Sequence, residues 1–566
     1  MSARPQALRH SFLEASARER LAGLCDAGSL QECCPPRERL ASPHLAALGL
    51  AQALDDGIVV GTARLDDQPV LVAAQEGRFN GGAVGEVHGA KLTGLLQAAL
   101  VTRPAAVLLL LDSGGVRLHE ANAGILSISE VARALLAVRA AGIPVLVLLG
   151  GSCGAFGGMG IVARLAHRVV MSEEARLSLS GPEVIETVKG KQEFDSRDRA
   201  LVWRVTGGKT RRALGEADLL VEDDIAAFRN AAVATLRDLR PADRQALTLT
   251  ALRQRQHALL ERRTRHAGQV DGHAVLATVL GLGRDRAALL DARAFEDLLA
   301  QQGGTPLSQV VPEDALSVDA ALDAEDLAFA DRLFGAGQHQ LQAKGYLIAG
   351  TATGPTGPLA LVGTRDRAPI GLELALSMAE GILAVVAADQ GQAPRPIVLL
   401  ADTQGQALSR HEELLGLNGA LAHLALCVDL ARRQGHRLIT LVRHEAVSGG
   451  FLSFGMLGDH ICALPEAQVR VMDLRAMARV TKLPLEQLEA LAQTSPVFAP
   501  GAGNFHQLGG IHALWSDQED WRAALGVALA DATTEDRRAG LGHQRGGRHL
   551  AAEVARRVRT QAGAGA

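Results

Sequence analysis

The chain has 566 residues, a formal net charge of −4 and an apolar share of 48%. That length exceeds a single ordinary core, so two or more domains are expected. Aromatic residues supply only 3%, with Tyr346 the single tyrosine; this and the lack of a basic balance argue against a nucleic-acid partner.

The N-terminal stretch "MSARPQALRHSFLEASARER" lacks the apolar core of a secretion signal. The cysteines, Cys25, Cys33, Cys34, Cys153, Cys427 and Cys462, form no C-x-x-C pair. The expectation is a reduced, cytoplasmic protein with no zinc ribbon, no metal site and no covalently bound cofactor. "VLLLLDSGGVRLHEANAGI" (Val107–Ile125) predicts a strand ending in Asp112, a glycine turn and an amphipathic helix running to Ala140. Ala140–Ala163 then carries no charge over 24 residues, long enough to span a bilayer. Seven of those residues are glycine, and Gly142-Ile143-Pro144 opens the run "IPVLVLL". A strand, a tight turn and a buried helix are expected there instead, with no membrane.

Further along, Gly181-Pro182-Glu183 reads as a helix start. "KGKQEFDSRDR" (Lys189–Arg199) reads as a solvated, charge-dense loop. Arg262–Glu325 contains "QQGGTPLSQVVPEDA" (Gln301–Ala315) and is the expected boundary. It divides the chain into residues 1–265, a linker at 266–325, and residues 326–566. Beyond it the pattern returns: "IVLLADTQGQALSRHEELLG" (Ile397–Gly416), a helix to Arg433, the strand "RLITLVR", then "EAVSGGFLSFGMLGDHICAL". The offset stays near 290 residues and sets Gly157-Gly158 opposite Gly449-Gly450. Strands alternating with helices predict parallel βαβ units, so the fold class is α/β, two related domains joined by an internal repeat. The tail from Arg537 to Arg559, with seven arginines against Glu553, reads as a solvated basic helix end.

Why does "GSCGAFGGMG" (Gly151–Gly160) place so many glycines between a strand and a helix? Either the backbones pack closely, or bare N–H groups at a helix start are offered to negative charge. The phosphate-loop pattern G-x-x-x-x-G-K-[ST] is absent, and so is the G-x-S-x-G elbow of serine hydrolases. What remains is an oxyanion hole for a thioester enolate, one turn from each half. A single such donor is worth about 2.7–4 kcal/mol in a transition state.

"EGRFNGGAVGEVHGAKL" (Glu76–Leu92), "DSGGVRLHEA", the Gly157-Gly158 turn and "SGPEVIE" occur in order and resemble the carboxyltransferase branch of the crotonase superfamily. "EFDSRDRALVWRVTGGKTR" (Glu193–Arg211) narrows the likeness to the β subunit of biotin-independent malonate decarboxylase. "RHEELLGLNGALAHLA", "SGGFLSFG" and "QTSPVFAPGAGNFHQLGGIHAL" resemble its γ subunit. The resemblance implies a fusion of β and γ, with two crotonase-like domains of the ββα-spiral type. It implies decarboxylation of a malonyl thioester, held on the phosphopantetheine-type (dephospho-CoA-derived) arm of an acyl carrier protein, to the acetyl thioester and CO2. The implied partners are the carrier-protein subunit and an acyl-carrier transferase subunit, in a homo- or hetero-oligomer. Carried over residue by residue, one oxyanion hole falls at Gly115-Val116 and Gly157-Gly158, the second at Gly449-Gly450. Where the family reads S-G-G-A-R, this chain has Val116, whose methyls are expected to narrow the pocket.

Arg117 and Glu120 lie three apart and can pair along a helix, or Arg117 can meet substrate. His444, with Glu445, precedes the second turn and can serve a structural role or a proton relay. Lys91 and Lys191 are candidates for the phosphates of the carrier arm. Cys153 reads as a small buried residue. Two rival functions stay open: a biotin-dependent carboxyltransferase of the same fold, and a non-catalytic subunit that docks a carrier protein.

Overall fold

A computed structural model of the chain describes residues 10–240, 244, 247–283, 286–287, 289–302 and 321–565. Most of the Gln301–Ala315 stretch lies outside them. The first half builds a seven-stranded sheet whose spatial order follows the sequence: β1 (Gln31–Cys33), β2 (Ile58–Leu65), β3 (Gln68–Gln75), β4 (Ala106–Leu111), β5 (Val145–Leu149), β6 (Arg168–Ser172) and β7 (Leu219–Val221). β1 to β3 are antiparallel and β3 to β7 parallel. Every residue of β4 and β5 is buried. Their unbroken runs of Val and Leu suit strands covered on both faces. The helices α1 (Glu86–Thr102), α2 (Ala121–Ala140) and α3 (Gly157–Leu165) lie between successive strands.

The second half repeats the plan. β8 (His339–Lys344), β9 (Leu347–Gly354) and β10 (Gly357–Thr364) form an antiparallel meander. β12 (Ile397–Gln406), β13 (Leu438–Val447), β14 (His460–Ala463) and β16 (Ala513–Leu514) continue it in parallel, while β11 (Ala368–Ile370) pairs with β12 and β15 (Gln468–Arg470) with β13. Its helices include α4 (Leu372–Ala388), α5 (Leu417–Arg433) and α6 (Ser448–Leu452). One apolar core joins the helices of the two halves: Leu126, Ile128 and Ile161 belong to the same cluster as Leu376, Leu421 and Leu452. The outer faces of the sheets have separate cores, around Phe12 and Phe228 in the first half and Phe329 and Trp521 in the second.

The uncharged stretch Ala140–Ala163 resolves into β5, a turn and α3, as its glycines and proline predicted. Among the described residues, Leu118–Ala140 is the helix long and apolar enough to cross a membrane, and 89% of its most apolar window is buried inside the protein.

The C-terminal segment corrects the reading of a solvated basic tail. Arg538 and Arg548 are fully buried. Arg548 makes a two-pronged contact with Glu130 of α2 at 3.0 and 2.5 Å, and Arg538 pairs with Asp536 and donates to Ser129 Oγ at 2.7 Å. The final helix, α7 (Ala551–Ala564), lies against α1; a Cβ on Gly94 would come within 2.4 Å of the Ala555 carbonyl oxygen. Counting charges along a segment cannot show that their partners lie hundreds of residues away.

Glu216 is another seam between the halves. Its buried carboxylate meets Arg164 at 3.1 Å and Arg262 at 2.5 Å, and stands beneath Gly416 and Gly419 at the start of α5. Burial raises its pKa, but Arg164, Arg262 and Arg211 outweigh burial and hold it at about 2. A carboxylate with a depressed native pKa stabilises the fold above its unfolded value and loses that contribution as pH falls through the native one. Acid unfolding of the native chain is therefore expected to steepen between about pH 4.3 and 2. Glu216→Gln should flatten that limb in a pH series of urea melts; an unchanged limb would remove Glu216 from the account.

Candidate active site

The two strand-to-helix turns meet across the junction of the halves. A cavity of about 280 Å³ lies between them, lined by Gly114, Val116, Gly157 and Gly158 from one side and by Gln406, Ser448, Gly449 and Leu452 from the other. Leu179, Ser180 and Thr481 complete its wall. A larger cleft of about 660 Å³ opens between α1, α2 and the C-terminal segment and contains neither turn.

The two turns share backbone details that side chains alone conceal. Asp112-Ser113 follow β4 directly, and β12 carries Asp402-Thr403. Gly115 has φ +104° and so has Gly405. The Gly115 N–H donates to Ser113 Oγ at 3.1 Å, and the Gly405 N–H to Thr403 Oγ1 at 3.0 Å. α3 begins at Gly157 (φ +56°) after Phe156, and α6 begins at Ser448 (φ +51°) after Val447. The structural equivalents are thus Gly157 with Ser448 and Gly158 with Gly449. This corrects the pairing of Gly157-Gly158 with Gly449-Gly450 by one residue. Glycine identity had set that alignment, whereas the backbone places a left-handed serine where the first half uses glycine.

The donors sort accordingly. The Gly157 N–H is spent on the Leu179 carbonyl at 2.6 Å. Among the described residues, the N–H groups of Val116 and Gly158 meet no acceptor, and both residues line the cavity. Gly158 stands in the first turn of α3, where the helix offers unpaired donors and the positive end of its dipole. In the second turn Gly449 lines the cavity, but its N–H already donates to Gln406 Oε1 at 3.2 Å. Gly450 lies behind the wall. A Cβ there would come within 2.7 Å of the Gly405 carbonyl carbon, so this glycine serves helix-to-strand packing. The methyls of Val116 do not simply crowd the cavity, because Cγ1 packs toward Gly124 of α2.

The side-chain candidates fare differently. Arg117 lines the cavity, but its guanidinium is buried and saturated: Nη1 meets Asp56 and Glu120 at 2.7 Å each, and Nε donates to the Ala83 carbonyl at 3.1 Å. The pairing reading therefore holds for Arg117. Lys91 is fully buried, its ammonium donating to the carbonyls of Cys34 and Asp55 at 3.0 and 2.9 Å. Both contacts are internal to the first half, and burial lowers the pKa of Lys91. Lys191 is exposed, pairs with Asp195 at 3.1 Å and stands off the cavity. His444 holds Asp402 Oδ2 at 3.0 Å and also lies off the cavity, so the proton relay is not assembled there. Cys153 is half-buried, with burial and Asp112 raising its thiol pKa, which disfavours a nucleophile.

Three features escaped sequence reasoning. Ser448 and Gln406 line the second turn; the first could have been found by aligning helix starts instead of glycines. Glu413 is the third. Fully buried, it crosses from the second half to accept Ser178 Oγ at 2.5 Å, the Leu179 N–H at 2.8 Å and the Ser180 N–H at 2.7 Å. It therefore fixes the strap that forms one cavity wall and receives the Gly157 N–H. Among the described residues no group of three or more His, Cys, Asp or Glu is placed to hold a metal ion.

Comparison with known proteins agrees with this two-part plan. Residues 14–243 match the carboxyl transferase domain family and residues 365–562 the malonate decarboxylase gamma subunit family. The malonyl-S-ACP:biotin-protein carboxyltransferase MADC of Malonomonas rubra is 45% identical over 40% of this chain and 75% of its own length. The MADD protein of the same organism is 36% identical over 33% of this chain and 69% of its own. A Pseudomonas malonate decarboxylase hetero-tetramer, solved in complex with malonate, aligns with 40% identity over 47% of this chain and 96% of that one, at a TM-score of 0.43. The chain belongs to the malonate decarboxylase family of crotonase-fold carboxyltransferases, with a β-type unit and a γ-type unit in one polypeptide.

Proposed function

We propose that the chain decarboxylates a malonyl thioester carried by an acyl carrier protein, giving the acetyl thioester and CO2 without biotin. The observation that carries this reading is the pair of unpartnered N–H groups at Val116 and Gly158 in one cavity. Breaking the bond to the carboxylate leaves an electron pair on the adjacent carbon. The thioester carbonyl accepts it as an enolate oxygen, and two preorganised donors stabilise that charge where little water competes. The Gly449 N–H, released by Gln406, is suited to the substrate's second carbonyl or carboxylate oxygen. Arg117 makes the first turn rigid instead of binding substrate. We further propose division near residues 265 and 325, a cytoplasmic location, and partnership with the carrier-protein and acyl-carrier transferase subunits in an oligomer.

A second reading has its own support. Both Malonomonas rubra relatives are named for transfer of the carboxyl group to a biotin protein. The purified chain should therefore be given malonyl-loaded carrier protein in avidin-treated buffer, with CO2 and the mass of the carrier thioester followed together. Release of CO2 with acetyl-carrier is expected. Turnover that appears only after a biotinylated acceptor is added would establish the transferase instead. Folded protein that is silent in both conditions would leave a docking role.

A further inference from the structure

The reaction needs a proton as well as an electron sink. Once CO2 has left, the enolate carbon must gain a hydrogen to become the acetyl methyl. The cavity wall contains only two ionisable side chains among the described residues, Arg117 and His119. Arg117 cannot serve, since a guanidinium does not give up its proton near neutrality and this one is committed to Asp56 and Glu120. The Ser180, Ser448 and Thr481 hydroxyls are far weaker acids than an imidazolium, which makes them the poorer proton donors of this wall near neutrality.

His119 is placed differently. It lies in the short 3-10 turn Leu118–Glu120, three residues after the Val116 donor, and is half-buried at the cavity. No hydrogen bond within the described chain engages either ring nitrogen, unlike His44, His88 and His444, which are all tied to partners. A histidine at the cavity wall with both ring nitrogens uncommitted is free to meet a ligand. We propose that His119 is a catalytic residue that protonates the enolate carbon. This inference rests on the decarboxylase reading above.

The step balances without any further reactant. The C–C bond breaks and its electron pair forms the enolate. That pair then takes the proton from the His119 imidazolium, the N–H bonding electrons stay on nitrogen, and the thioester C=O re-forms. Solvent returns a proton to the neutral imidazole before the next cycle. Burial and, next, the Arg117 charge lower the His119 pKa, while Glu120 opposes them. Arg117 and Glu120 flank it on its own segment. The helices Pro43–Ala47 and Leu474–Thr481, which carry His44, Arg475 and Arg479, pack against this turn. A lowered value makes the imidazolium a stronger acid, and a substrate carboxylate entering the cavity favours its charged form.

The test compares native chain, His119→Gln and His119→Ala on malonyl-carrier protein in biotin-free buffer. His119→Gln keeps size and polarity, but its amide N–H is a far weaker acid than an imidazolium. It should lower kcat by about 10²-fold or more with KM changed less than about threefold. Added imidazole should restore part of the kcat lost in His119→Ala, an effect a structural role would not produce. With chirally tritiated malonyl-carrier in D2O, native chain should give one handedness of acetyl methyl and His119→Gln a mixture. Native turnover with an unchanged kcat in His119→Gln overturns the assignment of His119 and leaves the decarboxylase standing. Native chain that releases no CO2 overturns both.

Discussion

Gly157→Ala is expected to lower kcat/KM by about 10²–10³-fold, the effect of losing one oxyanion donor. The added Cβ would stand 3.3 Å from the Gly115 Cα and 3.8 Å from the Val116 nitrogen. It would therefore occupy the wall between the two unpartnered N–H groups. The residue also sits at φ +56°, where alanine pays a backbone penalty of about 1–2 kcal/mol. That penalty is modest beside the core shared by the two halves, so the fold should survive. Steady-state kinetics on malonyl-carrier together with urea unfolding separate the two effects. A variant that retains more than about a tenth of native kcat/KM would show that the turn is built for packing and not for charge.

Glu413→Ala should be the most damaging single change at the seam between the halves. It leaves Ser178 Oγ and the N–H groups of Leu179 and Ser180 without an acceptor in a site that water does not reach. Unsatisfied buried donors cost about 1–3 kcal/mol each, so a loss of about 3 kcal/mol or more is expected. Activity should fall further than stability, because the strap from Ser178 to Ser180 carries the carbonyl that holds the Gly157 N–H. Burial raises the pKa of Glu413, and Ser178, Leu179 and Ser180 oppose that rise. Glu413→Gln retains one acceptor oxygen and should fall between native chain and Glu413→Ala. An unfolding free energy within about 0.5 kcal/mol of native for Glu413→Ala, from denaturant melts, would refute the clamp, since that is the scale of an ordinary surface change.

Much of the architecture was legible in the sequence for a plain reason. Val107–Leu111 and Ile397–Ala401 are buried on both faces, so each reads as an unbroken apolar run, and each ends at an aspartate and a glycine turn. Gly115, with its left-handed backbone, was equally visible, because few residues other than glycine adopt φ near +104°. The same logic failed one turn later. Ser448 takes φ +51° without being glycine, and Gly450 is glycine because β12 passes too close for a side chain. A glycine records that a Cβ is unwelcome; it does not record whether a ligand or another strand stands in the way.

By itself, the sequence determined the repeated α/β plan and the family, which follow from local periodicity, turn residues and short contiguous motifs; β12 and β13 run on to Gln406 and Val447, past the ends their apolar runs mark. Only the tertiary structure decided which N–H groups are free and which ions are bound. The Gly157 donor is consumed by Leu179, Lys91 by Cys34 and Asp55, Arg117 by Asp56 and Glu120, and Arg548 by Glu130. Hydrogen bonds and ion pairs form across distances in sequence that no local pattern encodes, so the difference between a donor in use and a donor on offer exists only once the chain has folded.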